Sequence, residues 1–282
     1  MPLYFPLLEP AQPVEIVAHR VVWSLGFCML MLAVTRGWAP LAAALRSPRS
    51  RRLLALAGVL VAVNWLVYVF AVLSDHVVDA ALGYFINPLV TVLLAVAVLG
   101  ERLRPAQWGA LGLGGAAVAV IALGHGELPW IALALAASFG LYGLVKNRVG
   151  RSVSAVPGLA VETLVLAPFA AGYLVRLAAS GAGTFAAEGW GHALALASTG
   201  VVTATPLLLF GAAARRIPLS LLGLIQYLTP TIQFLLGVFV LGEAMPPARW
   251  AGFALVWLAL VILTADGLRQ LADVRALRTA AG

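Results

Sequence analysis

The sequence predicts an all-α polytopic membrane protein made of two inverted five-helix repeats. Three observations predict it. Apolar blocks long enough to cross a bilayer recur along the chain, the basic residues collect in alternate loops, and one segment is repeated an odd number of spans further on.

The first observation is compositional. Of 282 residues, 62% are hydrophobic and 10% charged, against roughly 25% charged in an ordinary soluble domain. Nine blocks approach the ~20 apolar residues that a spanning helix needs. In order they are Val14–Val34, Leu53–Leu73, Val77–Val98, Ala106–Leu123, Leu128–Val145, Pro157–Leu177, Trp190–Ala213, Ile217–Leu241 and Ala248–Thr264. Each is apolar on every face and lacks strict two-residue alternation, which selects helices over a barrel. Segment Met1–Leu8 reads as the last turns of a broken helix, so a tenth span is expected ahead of it, giving each half five helices.

The second observation orients the spans. Lys and Arg number 18 and Asp and Glu 11, a formal charge of +7. On alternate sides the loops collect fifteen basic residues (Arg36, Arg46, Arg49, Arg51, Arg52, Arg102, Arg104, Lys146, Arg148, Arg151, Arg215, Arg216, Arg269, Arg275 and Arg278) against two, Arg176 and Arg249. The positive-inside rule then predicts a cytoplasmic C-terminus. Positive charge dispersed over short loops also argues against nucleic acid as a partner, and leaves the bilayer as the main one.

The third observation is the repeat. Pro88–Ala110 matches Pro230–Gly252 at eleven of 23 positions without a gap, an offset of 142. Leu99-Gly100-Glu101 matches Leu241-Gly242-Glu243, and Pro105 and Trp108 match Pro247 and Trp250. Five spans separate the copies, so the halves 1–124 and 125–282 are inverted with respect to each other. Inverted repeats are the architecture of many secondary transporters, whose solutes bind near the midplane.

Ionisable groups at membrane depth are expensive and mark candidate sites. Glu15, His19 and Arg20 open the first block, with Glu15 and His19 one turn apart. They read either as the charged edge of a solute cavity or as an Arg20–Glu15 pair holding the helix at the interface. Glu162 lies about six residues into its block and is a candidate proton carrier or a helix-end carboxylate. Asn64, Trp65 and Tyr68 lie in the second block, while Tyr84 and Asn87 beside Pro88, and Gln226 and Tyr227 near Pro230, place amides and aromatics beside mid-helix prolines; all of them can bind a ligand or join helices. Tyr142 and Lys146 read more readily as an interface anchor pair, and Asp75, His76 and Asp79 as solvated caps. His125 and His192 carry no assignment, and the lone Cys28 reads as a small buried hydrophobe.

Motif searches are negative. There is no Walker A sequence, HExxH, GxSxG or Cys/His cluster, so no cofactor, metal or ATP-driven chemistry is called for. Gly112-Leu-Gly-Gly-Ala-Ala117 fits a loose nucleotide fingerprint but follows no strand; small residues at that spacing bring helices close.

Several stretches resemble a known family. Glu15–Ser24, Asn64-Trp65, Leu82–Val90 with its Gly-Tyr-Phe-Ile-Asn-Pro run, Leu99–Arg102, Tyr142–Lys146 and Gln226–Pro230 resemble the RarD branch of the EamA transporters in the drug/metabolite transporter superfamily. The resemblance implies ten helices in two inverted repeats, an inner-membrane location and a permease for a small metabolite or drug-like solute. The expected partners are such a solute, the bilayer, and protons if Glu15 or Glu162 couples them. A non-transporting scaffold or sensor is the rival reading; a membrane enzyme would need catalytic groups that the chain lacks.

Overall fold

The computed structural model describes residues 1–100, 102–150, 152–213 and 226–280. These form helices α1 (Pro13–Thr35), α2 (Trp38–Arg46), α3 (Pro48–Leu73), α4 (Val77–Leu99), α5 (Pro105–His125), α6 (Trp130–Gly150), α7 (Ala155–Ala179), α8 (Gly189–Ala213), α9 (Leu228–Leu235) and α10 (Pro247–Ala280). No strand occurs among the described residues. Eight of these helices are long and apolar enough to cross a membrane. The expected ninth span, Ile217–Leu241, falls partly in 214–225, outside the described residues; its remainder is α9 followed by a π turn, Leu236–Val240.

The ends follow ordinary capping chemistry. Prolines occupy the first turns of α1, α3 and α5, where the missing N–H has no helical partner to lose. Ser47 Oγ accepts from Ser50 N at 3.3 Å at the start of α3, and the Gln107 side chain accepts from Arg104 N at 3.0 Å at the start of α5. Arg36 ends α1 in the left-handed region, φ 53°, donating its N–H to the final carbonyls.

Three details depart from the sequence reading. The loop after the first span contains α2, a short helix that buries Leu41 and Ala44. Met1–Leu8 closes in a 3-10 turn, Phe5–Leu8, that buries Phe5 and Leu8. The last helix runs on to Ala280, past the expected end at Thr264, because its polar continuation keeps good helix formers.

The chain divides into two compact units that cut across the sequence halves. The first comprises Met1–Ser74 and Leu141–Leu222, the second Asp75–Gly140 and Gly223–Gly282. In the first unit α1 packs on α7 and α8, and α3 on α7. Cys28, Leu32, Leu54, Leu159, Val161 and Ala204 form its apolar core. Two glycines set the helix approaches. A Cβ on Gly58 of α3 would lie 2.9 Å from the Glu162 carbonyl oxygen on α7, and one on Gly200 of α8 would collide with the Trp23 backbone on α1. Gly58 and Gly200 are themselves 142 residues apart, so the crossings are repeat mates.

In the second unit α4 packs against α9, and α5 against α10, around Val78, Leu82, Phe85, Phe234, Phe253 and Val256. Helices α5 and α10 are antiparallel: Arg104 Nη1 meets Asp266 Oδ1 at 3.5 Å at one end, while Gly124 abuts Ala248 at the other. Between these ends Gly252 faces Ala117 and Ile121, and Ala110 clusters with Ala259 and Leu89. Adding 142 turns Ala110 into Gly252 and Ala117 into Ala259. The two contacts therefore exchange under the repeat, as an inverted two-fold pair requires.

Candidate functional site

Seven of the candidate residues lie in the first unit. Glu15, His19 and Arg20 are 2%, 5% and 5% exposed, and Glu162 is 0% exposed. Each charge has found a partner, as burial demands. Lys146 Nζ donates to Glu162 Oε1 at 2.6 Å, and Tyr142 Oη donates to Glu162 Oε2 at 3.2 Å. Glu15 Oε1 accepts from Thr184 N at 2.8 Å and from Thr184 Oγ1 at 3.0 Å, and that hydroxyl lies 2.9 Å from His192 Nε2. Arg20 Nε donates to Thr203 Oγ1 at 3.0 Å. The guanidinium of Arg20 sits 4.5 Å from the Trp65 ring centre and 5.3 Å from that of Phe5, a cation held by aromatic faces.

Aromatic rings complete this region. Tyr68 meets Phe5 edge-on at 6.0 Å, and Asn64 is buried beside Trp65 on α3. His19 stacks on Phe185 at 4.9 Å while its Nδ1 accepts from Trp23 Nε1 at 3.3 Å. That acceptor role puts the proton of a neutral imidazole on Nε2, a buried donor without a partner among the described residues. Tyr4 Oη bonds Ser198 Oγ at 2.7 Å and donates to the Ala195 carbonyl at 2.8 Å.

The second unit holds the other four candidates. Tyr84 meets Phe139 edge-on at 5.8 Å. Asn87 is half-buried one residue before Pro88, its carbonyl accepts from Thr91 Oγ1 at 2.9 Å, and its buried Oδ1 has no partner among the described residues. Tyr227 is half-buried against the apolar cluster, whereas Gln226 is exposed. A separate polar clasp lies at the start of α4. Glu243 accepts from Val77 N at 2.6 Å and Val78 N at 3.0 Å, and Arg249 pairs with Asp79 at 3.1 Å. Burial raises the Glu243 carboxyl above the ordinary carboxylate range, outweighing these N–H donors and Arg249.

Several expectations are corrected. Glu15 turns to Thr184 rather than to Arg20, because the 180–188 loop brings a backbone N–H and a hydroxyl to its carboxylate. Lys146 and Tyr142 are not merely interface anchors: both reach Glu162, and Tyr142 is 9% exposed. Asp79 is an ion-paired, largely buried residue rather than a solvated cap. Thr184, Phe185, His192 and Thr203 were missed; they are distant in sequence, and a single Thr or Phe in an apolar helix or loop carries no signal of its own.

Comparison with known proteins adds an independent line. Residues 6–123 match the EamA-like transporter family. The chain is 55% identical to Protein RarD of Streptomyces exfoliatus, over 98% of this chain and 87% of that protein. It belongs to the RarD branch of the EamA transporters. An uncharacterized transporter of Vibrio cholerae is 42% identical over 95% of this chain and 88% of its own length. A protein of known crystal structure, 21% identical, shares the fold with a TM-score of 0.60 over 95% of this chain and 92% of that one. Membership of the RarD branch makes this a multi-pass membrane transporter of the drug/metabolite superfamily.

Proposed function

We propose that the chain is a secondary transporter that moves a small metabolite or drug-like solute by alternating access, an architecture supported by its inverted repeats 1–124 and 125–282. The observation that carries this reading is the group of four buried ionisable side chains in the first unit, Glu15, His19, Arg20 and Glu162. Charged groups at membrane depth cost at least ~2.5–3.5 kcal/mol each on insertion scales, and an inert scaffold has no use for them. The aromatic-flanked Arg20 and the nearby Asn64 and Trp65 offer a solute hydrogen bonds and stacking together. On α7, Glu162 is suited to proton coupling: protonation of its carboxylate would release Lys146 of α6, and deprotonation would recapture it. The excess of Lys and Arg in alternate loops supports an orientation with those loops and the C-terminus in the cytoplasm, and the family resemblance supports the inner membrane as the site.

The test begins with purified protein and a metabolite library scored by thermal stabilisation, followed by uptake of the hits into proteoliposomes. Uptake of a hit with and without an imposed pH gradient separates transport from coupling. Transport predicts saturable uptake that Arg20→Gln weakens; coupling predicts that the gradient accelerates uptake and that Glu162→Gln abolishes the acceleration. Binding without uptake in any gradient would return the molecule to the sensor class. Uptake indifferent to pH would remove the proton alone.

A further inference from the structure

The arginine-rich end of the first unit carries a groove that none of the transport argument uses. Its volume is about 600 Å³, and it is lined by Pro48, Arg49, Arg52 and Leu53 at the start of α3 and by Arg148 in the last turn of α6. Arg49 and Arg52 are three residues apart and so share a helix face, and Arg148 reaches the same groove from nearly a hundred residues away in sequence. The N-terminal end of α3 adds the positive pole of its backbone dipole.

Nothing acidic neutralises these cations from their own segments. Residues 36–74 contain five arginines and no carboxylate, and residues 128–161 contain none either. The next acid along, Glu162, is engaged by Lys146. Among the described residues the ion pairs are Arg104–Asp266, Lys146–Glu162 and Arg249–Asp79, and none of them involves a groove arginine. Three guanidinium groups converging without a counter-charge form a receptor for a phosphate group, which the planar fork of Arg meets bidentately.

The rest of the lining selects the source of that phosphate. Pro48, Leu53 and the arginine stems make an apolar wall, and Leu53 is the first residue of the apolar block that enters the bilayer. A guanidinium rim above an aliphatic floor, at headgroup depth on the positive-inside face, fits an amphiphile rather than a dissolved ion. We propose that this groove binds the phosphate of an anionic phospholipid, with Arg49, Arg52 and Arg148 on the headgroup and Leu53 against the glycerol and upper acyl chain. This site is separate from the solute-binding residues and does not depend on what the protein transports.

The test uses the full chain purified in a neutral detergent, titrated with dioleoylphosphatidylglycerol or dioleoylphosphatidylcholine and read by native mass spectrometry as retained lipid. Arg52→Gln and Arg148→Gln should each weaken phosphatidylglycerol retention about fivefold, the share expected of one basic side chain near an anionic headgroup. Arg51→Gln removes the same charge from the adjacent position of α3 but does not line the groove, and should change retention less than twofold. Circular dichroism of each variant keeps a folding defect distinct from lost lipid. Equal losses in Arg51→Gln and Arg52→Gln would reduce the effect to diffuse attraction and overturn the proposal. So would equal retention of phosphatidylcholine, an Arg148→Gln variant that binds like the parent, or displacement of the lipid by equimolar inorganic phosphate, which would make this a site for a free anion.

Discussion

Glu162 concentrates the residue-scale chemistry of the molecule. Its carboxylate is 0% exposed, yet both oxygens are engaged, one by an ammonium and one by a phenol on the neighbouring helix. A buried pair of this kind adds little net stability, because desolvation consumes most of the Coulomb gain; removing one member, however, strands the other. Lys146→Ala should therefore destabilise the protein by about 3–5 kcal/mol, whereas the double variant Lys146→Met/Glu162→Leu should lose clearly less than the sum of its single changes. Reversible unfolding in mixed micelles measures both, and strict additivity would show that the two groups act independently. The sequence marked Glu162 as a candidate from its depth alone, but it could not supply the partner. Lys146 precedes Glu162 by 16 residues across a turn, a spacing that matches no helical period. The same limit hid Thr184 from Glu15 and Thr203 from Arg20. A hydroxyl residue carries no compositional signal until the fold places it against a charge.

At the scale of elements, two devices hold the helices: glycine crossings and a carboxylate cap. Gly200→Ala should push α8 away from α1 and cost about 1–3 kcal/mol, since the obstacle is backbone, not the end of a flexible side chain. Gly172→Ala on α7, where nothing stands within 4 Å, should be neutral or stabilising by up to about 1 kcal/mol. Thermal denaturation of the two variants side by side checks the contrast, and equal effects would mean that the crossing is soft. Glu243 is the second device: its two oxygens serve the first N–H groups of α4. Its folded carboxyl is raised above the ordinary carboxylate range by burial. The folded state thus holds this proton more tightly than the unfolded chain. The group's contribution is complete below the ordinary carboxylate pKa and is lost as pH rises through the raised value. Glu243→Gln should remove that loss, so its stability should fall less than the parent's as pH rises above the ordinary glutamate pKa of about 4.3. A parallel pair of pH–stability curves would reject the assignment. The long helices were legible in the sequence because apolar length is a strong signal. Helix α2 was not, because nine residues with two buried side chains are too short to stand out from a loop.

The whole molecule rests on inversion, and here sequence and structure meet in one observation. The repeat's matching Leu-Gly pairs, Leu99-Gly100 and Leu241-Gly242, stand at the end of α4 and just after the π turn that follows α9. In the second unit Glu243 binds the N-terminal end of α4, whereas Gly100 closes its C-terminal end. Helix α4 has 23 residues, so at 1.5 Å per residue the two turns lie ~34 Å apart, about the thickness of a hydrocarbon core. Similar turns at opposite ends of one spanning helix must face opposite sides of the membrane, which the charge asymmetry of the loops had required independently. The offset of 142 was readable in the sequence; the way both halves contribute helices to each compact unit was not, since it depends on tertiary contacts between distant segments. Arg102 and Ala244 are exposed on these turns, and the chain's single cysteine, Cys28, is buried, so site-directed labelling has a clean background. In Cys28→Ser cells, Ala244→Cys should react with a membrane-impermeant maleimide added from outside, and Arg102→Cys only after permeabilisation. Labelling of both from the same side would abolish the inverted repeat, and with it the alternating exposure of a central site on which the transport mechanism depends.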